Sequence, residues 1–408
     1  MTGAPAGLST DLVVVGGGPA GMMAGLLFAR AGVKTLVLEK HADFLRDFRG
    51  DTVHPSTLEL FHELGLLEGL LARPHDRVET LSARVAGKDF LVADFTHLPT
   101  VCRFIAMMPQ WEFLDFVADA ASALRAFTLR REAEAVGVTQ AGGRITGVTL
   151  ADGSAITARL VIAADGRRSV LRAAAALPLQ DLGAPMDVFW FRLPKGRTER
   201  NQTAGVFEAG RILVTIDRGD YWQCAYVFAK GSEDAVRARG MSAFRDDVAS
   251  AAPELREAVA ELTHWDQVKL LSVALDRLTR WHRPGLLAIG DAAHAMSPVG
   301  GVGINLAIQD AVAAANLLAG PMAAGQGVDH LLGRVQARGM FPTRVTQAIQ
   351  RIVQRRIIGR MLAAQVVLTR APLALRAIRR FPALAQIPAR LVGLGVRREH
   401  VRSPVAGS

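Results

Sequence analysis

Three glycines set directly behind a buried strand constrain this chain more than any other feature. In the run Asp11-Leu-Val-Val-Val-Gly16-Gly-Gly18-Pro19-Ala20-Gly21, Leu12 to Val15 is apolar and β-branched and reads as a buried strand. Met22 to Ala31 has no breaker except Gly25 and reads as a helix; Gly32 ends it, and Thr35 to Leu38 reads as a second strand closed by the acid Glu39. Each glycine has its own job in such a unit. Gly16 permits the tight turn, Gly18 lets a pyrophosphate approach the backbone, and Gly21 lets the helix pack closely on the strand. The helix start then offers free N–H groups and a positive dipole end to an anion. Glu39 stands 18 positions after Gly21, where an acid can hold ribose hydroxyls. With 39 glycines in 408 residues the triplet alone says little. The strand before it, the helix after it and the acid beyond point to a dinucleotide, against the plainer reading of a glycine-rich turn without a ligand.

At this length, with half its residues hydrophobic, the chain can bury a large core and is expected to divide into two or three lobes. No uninterrupted apolar run reaches the roughly 18 residues of a membrane-spanning helix, and Met1 to Thr10 shows no signal-peptide pattern. Cys102 and Cys224 are too few for a disulfide framework or a cysteine metal site, so both are expected reduced and buried in a cytoplasmic protein. The net charge of +10 is uneven. Of 48 basic and 38 acidic residues, 15 arginines and one acid (Glu399) lie from Leu331 onward, leaving 33 and 37 for the rest.

Along the chain, Ser56 through Leu67 reads as a helix with Ser56 and Glu59 as a capping box, and Asp51 and His54 before it read as turn or cap residues. Thr80 to Phe95 looks strand-like, and Pro109 to Glu112 leads into a helix over Phe113 to Leu124. Residues 136–164 form a β pattern with turn signals at Gly142-Gly143 and Asp152-Gly153. It ends in Leu160-Val-Ile-Ala-Ala-Asp165-Gly166, followed by Ser169 and Arg172, an apolar strand that delivers an acid to a ligand-facing end. From Asp187 to Phe228 four runs read as an antiparallel sheet holding Trp190, Tyr221, Trp222 and Tyr226, either plain core or one wall of a pocket for a flat substrate. Met241 to Leu262 reads as helix and Gln267 to Val273 as strand. Leu286 to Gly290-Asp291-Ala-Ala-His294, with Pro298, Gly300, Gly301 and Gly303, repeats the theme of a strand ending in Gly-Asp and a glycine loop entering a helix, here Leu306 to Leu318. Two such helix starts exceed the needs of a single nicotinamide cofactor. From Pro342 the tail is helical, with Arg344, Arg351 and Arg355 on one side and Ile349, Val353 and Ile357 on the other. It fits a helix packed on the body, or a contact with anionic lipid or an acidic partner. No nucleic-acid motif accompanies the charge.

The three motifs in this order make the chain resemble the class A flavoprotein monooxygenases, the aromatic-hydroxylase type related to para-hydroxybenzoate hydroxylase and the ubiquinone-pathway hydroxylases. The resemblance covers roughly residues 10–320. It implies an α/β fold: an FAD-binding Rossmann-like domain of the glutathione-reductase type, an inserted antiparallel-sheet substrate domain and a C-terminal helical segment. The expected divisions are 1–78, 106–180 and 280–330 for FAD binding, 79–105 and 181–279 for substrate, and 331–408 for the basic helical region.

Carried over residue by residue, the resemblance implies that Gly16, Gly18 and Gly21 hold the FAD pyrophosphate and Glu39 the ribose, with Pro19, Ala20, Lys40 and Val136 as further cofactor contacts. Arg49 matches the arginine beside the flavin and Gln110 the glutamine on the ribityl-pyrophosphate arm. Asp165 bears on FAD and NAD(P)H, and Asp291 on the ribityl chain. Gly301 and Gly303 are further cofactor contacts, the backbone N–H groups of Ile304 and Asn305 face the flavin N1/O2 edge, and Pro298 lines the space where oxygen meets the flavin. Pro298 and Arg49 are the catalytic candidates, while His294 is read as structural. The implied chemistry is NAD(P)H reduction of FAD, O₂ addition at flavin C4a to a hydroperoxide, and transfer of one oxygen to an aromatic substrate, with hydrophobic, polycyclic or quinone-like compounds favoured by the few charges in 187–230. No metal is expected. Rival readings are a reductase on the same scaffold, of the geranylgeranyl-reductase type; a halogenase, whose Trp-x-Trp motif is missing; an NAD-dependent dehydrogenase using only the first motif; and a non-catalytic flavin-binding protein.

Overall fold

The computed structural model describes residues 8–45, 51–85, 88–195, 204–208, 211–363 and 371–407. Its first layer is a parallel sheet that begins with the opening strand. Leu8–Val15 pairs in parallel with Ala155–Ala163 on one side and Thr35–Leu38 on the other. Leu286–Ala288 extends the sheet beyond Ala155–Ala163, and Phe127–Arg130 extends it beyond Thr35–Leu38, again in parallel. All five strands therefore end at one edge. That edge carries Gly16, Glu39, Ala164-Asp165 and Gly290-Asp291, so the three sequence motifs meet there because the strands share a direction. Leu12 to Val14, Val161 to Ala163 and Leu286 to Ala288 are fully buried, as expected of strands covered on both faces.

Helix Pro19–Arg30 covers one face of this sheet and packs along helix Gly303–Ala323. The latter is long and apolar enough to cross a membrane by length and composition alone, but 67% of its most apolar stretch lies inside the fold, which makes it a core helix. Gly142 and Gly143 adopt positive φ of 56° and 78° and turn the hairpin Ala135–Ala141/Arg144–Leu150 that folds onto Ala155–Ala163.

The second layer is a seven-stranded sheet in the order Lys269–Leu271, Met186–Pro194, Tyr221–Ala229, Arg211–Asp217, Ala204–Glu208, Thr80–Val85, Lys88–Asp94. It is mixed, not purely antiparallel: Ala204–Glu208 runs parallel to Thr80–Val85. The strand supplied from early in the chain arrives in that direction, which local hairpin signals do not reveal. Alternation splits its aromatics. Phe189, Phe191, Trp222, Tyr226 and Phe228 pack under helix Gly240–Ala251, whereas Trp190 faces the other way with Val188, Val214 and Ala225.

Several local expectations shift for physical reasons. The capping box at Ser56 does not form: His54 is the N-cap, Pro55 takes the first helical position, and Glu59 Oε2 accepts the Val101 N–H instead. Gly65, at φ 71°, splits the expected Ser56–Leu67 helix into Pro55–Glu63 and Leu67–Leu71. The helix expected over Met241 to Leu262 stops at Ala251, where Pro253 cannot continue it.

The basic C-terminal region is woven into the body. Helix Leu332–Val353 runs into a π turn, Gln354–Ile358, before Gly359–Ala363. The extra residue in a π turn moves the helix face on by one, so Ile358 is buried and Ile357 exposed. The last segment straps the first domain: Asn316 brackets His400 O and the Arg402 N–H, Glu63 accepts the Val401 N–H, and the Ala406 N–H reaches Arg30 O.

Candidate active site

The opening glycines hold three different positions. Gly16 sits at φ 107°, and a Cβ there would fall 2.3 Å from Ala164 O. A Cβ on Gly21 would fall 1.9 Å from Gly16 O. Gly18 has an ordinary φ of −75°, caps the helix, and faces open space with nothing within 4 Å of a Cβ. The turn and the packing thus need Gly16 and Gly21 for the fold, while Gly18 borders the space a ligand would occupy. Glu39 is buried at the end of the second strand, its Oε2 accepting the Gly17 N–H at 2.9 Å and its Oε1 the His41 N–H at 3.0 Å. Lys40 is exposed beside it, and Glu39 O accepts the Ala133 N–H, which brings the strand of exposed Val136 to the same edge.

The second motif is a self-contained cap. Asp165 accepts the Ser169 hydroxyl at 2.5 Å and the Leu171 N–H at 3.2 Å, and Ser169 Oγ accepts the Arg172 N–H at 2.9 Å. Burial raises the Asp165 carboxyl above its usual range, against the hydrogen bonds that favour its charged form. Arg172 reaches Ala292 O and Arg167 O, which fastens the second motif to the third.

In the third motif, Gly290 is the meeting point of both helix starts: a Cβ there would fall 2.9 Å from Ala20 and 3.1 Å from Ala307. Asp310 fixes it from below, accepting the Gly290 N–H at 2.9 Å and standing 2.6 Å from His294 Nε2. Burial alone would lower the His294 pKa, but the Asp310 carboxylate overrides it and the imidazole is held above its ordinary value. His294 and Asp310 therefore form a buried structural pair that locks the turn. Asp291, its side chain 38% exposed, is left on the open side, with Arg167 3.9 Å away.

Pro298 to Ile304 form a partly exposed run against buried surroundings. Gly300 and Gly301 take positive φ, and helix Gly303–Ala323 begins with its first N–H groups unspent; the first helical bond runs from Leu306 N to Val302 O. The Asn305 side chain is fully engaged: Oδ1 accepts the His54 N–H and the Thr57 hydroxyl, and Nδ2 donates to Thr52 O. Only its backbone N–H is left to face a ligand. Gln110 opens helix Gln110–Ser122 and its N–H donates to Asp51, which is a bridging acceptor and not merely a turn residue. Asp51 also takes Arg218 Nη2 at 2.6 Å, and Arg218 Nε donates to Gln223. Burial raises the Asp51 pKa, with Arg218 opposing it. Arg218 lies in the turn Asp217-Arg-Gly-Asp, whose composition signals solvent, so the sequence held no cue to this buried bridge.

Two glutamines were also missed. Gln347 Nε2 donates to Asp276 O and Ala295 O, and Gln350 clasps Ser297 through its N–H and C=O and also donates to Val299 O. A wheel built on apolar and basic residues passes over them, yet they fasten the Pro298 loop to the C-terminal helix. Across that loop, Trp190, Val214 and Ala225 of the mixed sheet share one apolar cluster with Val353, Ile358 and Val299, the residue after Pro298. Arg49 lies outside the described residues.

The geometry suits FAD. One helix start with an open glycine and the buried acid Glu39 lies at one end, a second unspent helix start at the other, and Asp291 stands on the open side of the Gly290 junction between them. The profile of the FAD-binding-domain family matches residues 9–349. The chain is 32% identical to 6-methylpretetramide 4-monooxygenase of Streptomyces rimosus, across 89% of this chain and 90% of that protein. It is 28% identical to rifampicin monooxygenase of Streptomyces venezuelae over 74% of this chain, spanning 62% of that relative's length. In fold it is similar to pqsL, a probable FAD-dependent monooxygenase from Pseudomonas aeruginosa, with a TM-score of 0.74, 20% identity and coverage of 87% and 98%. On these grounds the chain belongs to the class A FAD-dependent monooxygenases.

Proposed function

We propose that this monooxygenase takes electrons from NAD(P)H and one oxygen atom from O₂ to hydroxylate a hydrophobic, polycyclic aromatic of the kind named in its relatives, such as 6-methylpretetramide. The observation that supports this most is the apolar wall of Trp190, Val214 and Ala225 set against Val299, next to Pro298. FAD, when bound, supplies the redox and oxygen-activating chemistry. The chain's own residues hold and shape. Gly18 and the first turn of Pro19–Arg30 would receive the pyrophosphate, and Glu39 and Asp291 would hold the two sugar-like portions. The free N–H groups at the start of Gly303–Ala323 would favour negative charge on the ring. The wall excludes water from the reacting face.

The test is oxygen uptake and NAD(P)H oxidation with a panel of polycyclic phenols, with product mass measured alongside. Substrate-dependent oxygen uptake with a product heavier by one oxygen supports the reading. A substrate that is reduced without oxygen uptake overturns it in favour of the reductase.

A further inference from the structure

The glutamine face of helix Leu332–Val353 does not end at Gln350. Gln347, Gln350 and Gln354 recur at helical spacing on one side. The partners of the first two advance along the loop, from Asp276 and Ala295 to Ser297 and Val299. One turn further on, Gln354 is 1% exposed and its Nε2 has no partner. It stands where the helix widens into the π turn Gln354–Ile358, between Val353 and Ile358, which both pack on the wall of Trp190, Val214 and Ala225. Trp190 on that wall carries a second buried N–H without a partner, at Nε1. A buried donor left unmade is costly, and a protein keeps one where something else completes it. π turns inside α-helices are frequent at functional sites.

We infer that Gln354 is a specificity-determining hydrogen-bond donor, its Nε2 serving a ring carbonyl oxygen of the aromatic substrate. The inference rests on the reading of the wall as the substrate's, and it adds the chemistry the substrate must carry: a flat apolar body with an oxygen acceptor at the Gln354 side. Gln347 and Gln350 are the structural rungs of the same face, and Gln354 is the rung reserved for the ligand.

Gln354→Met and Gln350→Met, which keep length and volume, separate the two roles in the FAD-loaded enzyme. In the substrate-free state Gln354→Met is expected to leave the thermal midpoint unchanged or raise it, because it removes an unmet donor, while Gln350→Met lowers it by stranding Ser297. Two tricyclic probes read the ligand side through the change in flavin absorbance on binding: dihydroxyanthraquinone, which has ring carbonyls, and the matching dihydroxyanthracene, which has none. Gln354→Met is expected to weaken the anthraquinone about tenfold relative to wild type and the anthracene hardly at all. A midpoint that falls as far as that of Gln350→Met, or equal weakening of both probes, overturns the inference. If the probe preference holds but neither probe is oxygenated, the donor role stands and the hydroxylase reading alone is in question.

Discussion

Arg218 Nη2 meets Asp51 Oδ2 at 2.6 Å and so ties the turn of the mixed sheet to the segment that enters the flavin-side domain. The two side chains are 4% and 11% exposed, so the pair is nearly sealed from water. Removing one partner leaves the other buried and unpaired, which costs about 3–5 kcal/mol. Asp51→Ala is therefore expected to lose that order of stability in urea unfolding, and Asp51→Ala with Arg218→Met to recover most of it. If the double variant falls by the sum of both single losses, the two groups are not coupled.

The glycines of the first motif separate folding from binding. Gly16→Ala and Gly21→Ala drive a Cβ into backbone oxygens 2.3 and 1.9 Å away, so each is expected to cost at least about 1–3 kcal/mol or to prevent folding. Gly18→Ala meets nothing and should stay within about 1 kcal/mol of the parent. It should nonetheless hold FAD about tenfold more weakly, because the added methyl stands where the pyrophosphate approaches. Flavin content after dialysis and the unfolding midpoint read the two effects apart; unchanged flavin in Gly18→Ala would move the cofactor away from this turn.

Asp291 and Asp310 make a second contrast, since both touch the third motif but only one is spent on it. Asp291 is part-exposed with a loose Arg167 neighbour at 3.9 Å, and such a pair is worth about 0–1 kcal/mol. Asp291→Ala should fold normally and lose flavin. Asp310→Ala removes the acceptor shared by His294 and Gly290 and should lower stability by several kcal/mol, with flavin loss only as a consequence. Calorimetry of both variants with and without FAD decides.

His54 gives the fold an acid-sensitive point. Its Nδ1 lies 2.7 Å from Val392 O, which fixes the neutral tautomer with the proton on Nδ1, and its Nε2 is buried without a partner. Burial lowers its pKa from 6.5 to about 4, the Val392 bond opposing. Between those values the unfolded chain binds a proton that the native chain refuses, so this group's contribution is intact above pH 6.5 and lost as pH falls toward 4, by about 3 kcal/mol in all. His54→Asn, which keeps a donor toward Val392, should flatten the stability curve over that window. An unchanged slope would assign the acid sensitivity elsewhere.

Much of this was legible because it is local. The strand–glycine–helix run, the Asp165 and Asp291 motifs and the turn at Gly142-Gly143 each declare themselves within a few residues, and parallel strands then bring the motifs to one edge. What escaped depends on partners far along the chain. Arg218 finds Asp51 across 167 positions, and Gln350 finds Ser297 across 53. The π turn after Val353 has no composition signal, and its one-residue shift reverses which of Ile357 and Ile358 is buried. The proposed wall is half legible: the aromatics of 187–230 stand out in the sequence, but only strand alternation in the folded sheet sorts Trp190 to the side of Val299 and Val353 and Trp222 under helix Gly240–Ala251.

The central proposal is that oxygen from O₂ enters an aromatic ring at the flavin end of this site. The direct measurement is one turnover series of the FAD-loaded enzyme with NAD(P)H and a polycyclic phenol under isotopically heavy oxygen gas, read by mass spectrometry of the product. The account predicts one heavy oxygen atom per product molecule, formed only when flavin is present. A product whose new oxygen comes from water, or a substrate converted with no oxygen gained, would contradict it.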